Sequence, residues 1–119
     1  VNKTVDTYTV EVCFGAEDPL FPFSEDLDRA IKHWTDTNKR CITKTTTHFY
    51  YPKTAGIDDK QVSHGVICRF VNYPRFPSTP DQLLKDAINF GEEMVEVLKG
   101  VQTCLVIATD KTVWINRRY

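Results

Sequence analysis

The sequence predicts an α+β domain of ferredoxin-like βαββαβ plan, extended by one C-terminal strand, with both helices on one face of an antiparallel sheet. Two observations predict it. Alternating threonine- and valine-rich runs are interrupted by two amphipathic segments, in the order strand, helix, two strands, helix, two strands. The second amphipathic segment, 80–99, would make a helix about 30 Å long, enough to cross a whole sheet face. The 119 residues, 41% hydrophobic and 12% aromatic, suit one core and one domain over 1–119. No repeat or linker divides the chain.

The first strand is expected over Tyr8–Phe14, where Tyr8, Val10, Val12 and Phe14 alternate with Thr9, Glu11 and Cys13. Gly15 ends it. Pro19 and Pro22 exclude a regular helix from the loop that follows, Ala16–Phe23. Ser24 then caps a helix whose first turn carries Glu25, Asp26 and Asp28, suited to the positive end of the helix dipole. Leu27, Ala30, Ile31 and Trp34 form its apolar stripe.

Strands are expected over Cys41–Tyr51 and Val62–Asn72, joined by a hairpin loop with Pro52, Gly56, Asp58 and Asp59. Thr79-Pro80-Asp81-Gln82 is a capping box with proline at the first helical position. The stripe Leu84, Ala87, Ile88, Gly91, Met94, Val95 and Leu98 predicts the buried side of this helix, and Gly100 its stop. Thr103–Ala108 and Thr112–Arg117 are the last strands, around the turn Thr109–Lys111.

Right-handed crossovers then give the sheet order 4-1-3-2, numbering strands along the chain. Tyr8, Val10, Val12, Phe14, Val66, Phe70, Leu105 and Ile107 are expected beneath the helices. The opposite face would carry Thr9, Glu11, Cys13, Ile67, Arg69, Val71, Cys104 and Val106. Glu11 and Arg69 should pair there. This face is half apolar, and soluble monomers rarely expose a large contiguous apolar patch. Self-association through the sheet is therefore expected, giving a homo-oligomer.

The four cysteines form no CxxC pair, which argues against a zinc ribbon or thioredoxin-type motif. Cys13 and Cys104 are expected to be the nearest pair, on the open face, and to bridge if the protein meets an oxidising compartment. Cys68 should be a core thiol and Cys41 remote from both. The charge balance, 15 basic against 16 acidic side chains, excludes a global attraction to nucleic acid or anionic membrane. RNA-binding domains of this topology stack bases on aromatics of the first and third strands. The third strand here, His64-Gly65-Val66-Ile67-Cys68-Arg69-Phe70, lacks that pair of aromatics. No run is long enough to span a bilayer. A soluble, cytoplasmic protein is expected, acting without a cofactor, with a small molecule or a protein as partner.

For chemistry the candidates are few. No GxSxG elbow and no phosphate-cradling glycine run is present. Of the three histidines, His33 lies off the stripe of the first helix. His48 and His64 lie on neighbouring strands, and a one-residue slip in hairpin register decides whether they share a face. If they do, Tyr50 joins His48 in a polar site suited to general acid–base work, with Glu11 and Arg69 as charged participants. No metal site is expected, because three or four ligands do not converge. Phe21 and Phe23, set among prolines and acids, are expected either to tuck beneath the first helix or to contact a ligand, together with Glu11 and Arg69. The leading expectation is a non-enzymatic binding or regulatory module that self-associates through its sheet; the alternative is a small cofactor-independent enzyme using His48, His64 and Tyr50.

Overall fold

A computed structural model describes residues 2–52, 62–75 and 77–117. The elements are β1 (Thr9–Ala16), a 3-10 turn (Phe21–Phe23), α1 (Glu25–Asn38), β2 (Ile42–Tyr50), β3 (Val62–Val71), α2 (Pro80–Val97), β4 (Thr103–Ile107) and β5 (Thr112–Asn116). The strands form one antiparallel sheet in the order β2-β3-β1-β4-β5. This is the ferredoxin-like plan with β5 added beside β4. The expected hairpin loop with Gly56, Asp58 and Asp59 lies outside the described residues. No described helix is long and apolar enough to cross a membrane.

Both helices begin where their side-chain chemistry directs. Ser24 Oγ accepts from the Asp26 and Leu27 amides at 3.2 and 3.4 Å, and Thr79 Oγ1 accepts from the Gln82 amide at 3.2 Å. Each satisfies donors that the helix cannot. α1 closes on Lys39 in the left-handed region, φ 54°, and the chain leaves α2 through Gly100 at φ 88°. Of the two prolines that block an α-helix after β1, Pro19 sits in the turn that the Phe21 amide closes onto the Asp18 carbonyl, and Pro22 sits in the 3-10 turn that follows.

The core lies between the helices and one sheet face. Trp34 of α1, Phe70 of β3 and Phe90 of α2 meet edge to face, with centroid separations of 5.2–5.5 Å, and each is at most 1% exposed. The Trp34 indole N–H donates to Asn89 Oδ1 at 2.9 Å, so burying the ring leaves no orphaned donor. Arg40, just past α1, pairs with Asp86 and donates to Ser78 Oγ; this ties the α1–β2 junction to α2. Arg117 donates to the Leu98 and Val101 carbonyls, acceptors left open at the end of α2.

Three expectations are corrected. Cys104 and Val106, not Leu105 and Ile107, face the helices: the former are 1% and 0% exposed, and Ile107 is 37% exposed. The cause is register. Phe14 stands opposite Cys104 and Val12 opposite Val106, so each takes the core face of its β1 partner. The same register turns Cys104 away from Cys13, which stands opposite Leu105 on the open face, so the expected Cys13–Cys104 bridge has no geometry. All four cysteines are free thiols, and Cys68 is a core residue. In α2 the buried side is centred one residue from the expected stripe: Leu83 and Phe90 are fully buried, and Leu84 and Ile88 flank them.

Candidate functional site

Among the described residues both helices pack on one side of the sheet, and the other side carries half-buried Ile67 and Leu105 and exposed Trp114 around buried Cys13. Directly paired residues form an apolar row across it: Ile67 on β3, Cys13 on β1, Leu105 on β4 and Trp114 on β5. Trp114 is 61% exposed. Beside this row Glu11 stands opposite Arg69, and the guanidinium donates to Glu11 Oε2 at 3.0 and 3.3 Å. Burial pushes the Cys13 thiol up to about 11, with the neighbouring Glu11 carboxylate adding to the effect. At neutral pH it is a protonated, weakly nucleophilic group.

Where the row reaches the end of β1, the sheet opens into a bowl of about 1060 Å³. Gly15 lines it, and Gly65 faces Gly15 across the β1–β3 pair just behind. A Cβ on Gly65 would fall 2.4 Å from the Phe14 carbonyl oxygen and 2.5 Å from the Phe49 ring, and a Cβ on Gly15 would fall 3.0 Å from Gly65 Cα. Without those side chains, Phe49 of β2 lies flat over β3 and becomes a wall. Tyr51, Trp114 and Phe23 add three more aromatic surfaces, while Glu17 and Asp18 carry acid on one rim and Lys99 a base on another. Asp18 Oδ1 accepts from the Leu20 amide at 2.9 Å, which sets the turn that leads into Phe21–Phe23.

The sequence candidates divide among three places. Phe21 and Phe23 both border the bowl, in different ways. Phe21 is buried edge-on against Phe14, centroids 6.2 Å apart, whereas Phe23 is 71% exposed. Glu11 and Arg69 bind each other on the open face and do not line the bowl.

His48 and His64 are direct cross-strand partners, with ring centroids 4.9 Å apart, and Tyr50 stands 6.3 Å from His48. Strand alternation sets all three on the helix side of the sheet, in line with Val66, Cys68 and Phe70. They lie at the outer end of the β2–β3 hairpin. Lys44, four residues earlier on β2, already reaches Asp28 and the Pro22 carbonyl at the start of α1, so His48 is about 13 Å farther out. The histidines, Tyr50, Glu11 and Arg69 therefore do not converge: the sheet separates the first three from the last two. Among the described residues no group of three or more metal-ligating side chains occurs.

Sequence reasoning missed the bowl because its parts are far apart along the chain. Gly15, Phe49, Tyr51, Lys99 and Trp114 meet only through the strand order and register. The local signal available was the aromatic character of positions that alternate away from the core.

No protein-family model matches this chain, and no curated protein matches it. Among solved structures it is similar to a phage SAM lyase in complex with S-methyl-5'-thioadenosine, at 11% sequence identity and a TM-score of 0.59, over 98% of this chain and 94% of that one. At that identity the likeness shows that the two share a fold from end to end.

Proposed function

We propose that this chain is a binding module that takes a small, flat, nucleoside-like ligand in the bowl at the end of β1, and that a second copy of the chain covers its open sheet face. The observation that carries the reading is the lining of the bowl: four aromatic surfaces, Phe23, Phe49, Tyr51 and Trp114, beside the carboxylates of Glu17 and Asp18. A purine stacks on aromatic faces, and such stacking contributes about 1–3 kcal/mol per base. Carboxylates accept from ribose hydroxyls, and together with aromatic rings they favour a cationic substituent. The ligand of the structural neighbour, S-methyl-5'-thioadenosine, is a molecule of this class. Self-association is supported by the row Ile67, Cys13, Leu105 and Trp114, which runs from half-buried Ile67 to exposed Trp114 and reaches the rim of the bowl.

Calorimetric titration with S-methyl-5'-thioadenosine, run beside light scattering, tests both halves. The expected result is saturable binding that Trp114→Ser weakens at least tenfold, on a particle larger than one chain. No heat at millimolar ligand, or a strict monomer at high concentration, contradicts the respective half.

A catalytic reading is favoured by a different observation, the end-to-end likeness to a lyase. In that reading S-adenosylmethionine occupies the bowl, with its sulfonium near Glu17 and Asp18, and is converted there without a cofactor. His48, His64 and Tyr50 would then serve as an acid–base group only for chemistry on their own side of the sheet. Mass spectrometry of S-adenosylmethionine incubated with the protein separates the readings: release of S-methyl-5'-thioadenosine supports the enzyme, and unchanged substrate with measurable binding supports the module.

A further inference from the structure

We propose that His48 and His64 form a two-histidine clamp for a borderline divalent transition ion, of the Zn²⁺ or Ni²⁺ kind, at the outer end of the β2–β3 hairpin. The two residues are directly paired across antiparallel strands, and their rings stand 4.9 Å apart at an interplanar angle of 76°. Among the described residues neither imidazole makes a side-chain hydrogen bond or ion pair, so both rings retain a lone pair to offer. Zn²⁺ bonds imidazole nitrogen at about 2.0–2.1 Å. In the clamp the two rings turn about χ1 and χ2 so that one nitrogen of each meets the ion. His48 is exposed and His64 half-buried; the ion would therefore enter from solvent and keep water at its remaining positions.

The sheet does the preorganising. Nine residue pairs lock β2 to β3, and the Cα partners are held in register before any ion arrives. A nitrogen-only site exposed to water favours Ni²⁺ and Zn²⁺ over Mg²⁺ and Ca²⁺, which take oxygen ligands. Among the described residues the nearest charged side chain on the same strand face, Lys44, is engaged with Asp28 and lies about 13 Å away. Exposed Cys41 and helix-borne His33 are elsewhere on the molecule and serve as controls.

The test is calorimetric titration of the full chain with ZnCl₂ and with NiCl₂ at pH 7.5. The expected result is one saturable site per chain, weakened at least tenfold by His48→Ala and by His64→Ala, and unchanged by Cys41→Ser and His33→Ala. Circular dichroism of the two alanine variants checks that they fold. Paramagnetic Ni²⁺ should broaden the His48 and His64 ring resonances and leave those of His33 sharp. Absence of saturation at a hundredfold molar excess overturns the proposal, as does binding that survives either alanine substitution or follows Cys41 or His33.

Discussion

Both faces of the sheet carry apolar side chains, more of them on the side of the helices, and only that side is closed. Beneath the helices Val12, Val66, Cys68, Phe70 and Val106 are fully buried. On the other face Leu105 and Ile67 are half-buried, and Ile107 and Trp114 are exposed. The difference teaches that apolar side chains on a strand face do not by themselves make a core. Closure requires a second layer, and here two helices provide it for one side only. The closed face holds the fold together, and the open face and its bowl are available for contacts outside the chain.

The largest expected effect breaks the closed face. Trp34→Ala removes a ring that touches both Phe70 and Phe90 and leaves Asn89 without its indole donor. Urea denaturation should show a loss of about 3–5 kcal/mol. Gly65→Ala acts at the boundary between the two regions. Its Cβ meets the Phe14 carbonyl and the Phe49 ring, so β3 must shift or Phe49 must leave the wall of the bowl. A loss of about 1–3 kcal/mol is expected, together with weakened ligand binding.

The thiols sharpen the comparison through pH. Burial raises Cys68 to about 12 and raises Cys104 further, and Cys13 on the open face rises to about 11. In the unfolded chain all three return toward 9.0. The unfolded state therefore releases protons first on going alkaline, so the stability contributed by the neutral thiols is complete below pH 9 and is lost as pH rises from 9 toward 12. Denaturation midpoints should be level from pH 7 to 8 and fall above 9. At pH 8, iodoacetamide should modify exposed Cys41 first, Cys13 slowly, and Cys68 and Cys104 only on unfolding. Reaction of Cys104 as fast as Cys41 would contradict the strand phase described for β4.

The smallest effect belongs to the open face. Glu11→Ala removes a solvent-exposed pair with Arg69 and should change stability by no more than about 1 kcal/mol.

How much of this was legible in the sequence depends on whether the signal was local. Ser24 and Thr79 announce their helices within four residues, and alternation in 9–14 and 66–70 sets the core faces of β1 and β3. The run Cys104-Leu105-Val106-Ile107 is apolar throughout, so a period of two has no phase in it; only pairing with β1 decides that Cys104 and Val106 turn inward. Leu83 and Leu84 present the same ambiguity at the start of α2. The Glu11–Arg69 contact followed from strand order and alternation together. The His48–His64 pairing did not, because hairpin register is fixed by the Ile42–Phe70 to Tyr50–Val62 ladder as a whole. The bowl was the least legible feature, being assembled from segments that are distant along the chain.

The central claim, that the uncovered side of the sheet ends in a ligand site, is tested most directly by amide chemical-shift mapping during titration with S-methyl-5'-thioadenosine. The account predicts saturable shifts clustered at Gly15, Asp18, Phe49, Tyr51 and Trp114, with Trp34 and Phe90 in the closed core unmoved. Shifts centred on His48 and His64, or no shifts at millimolar ligand, would contradict it.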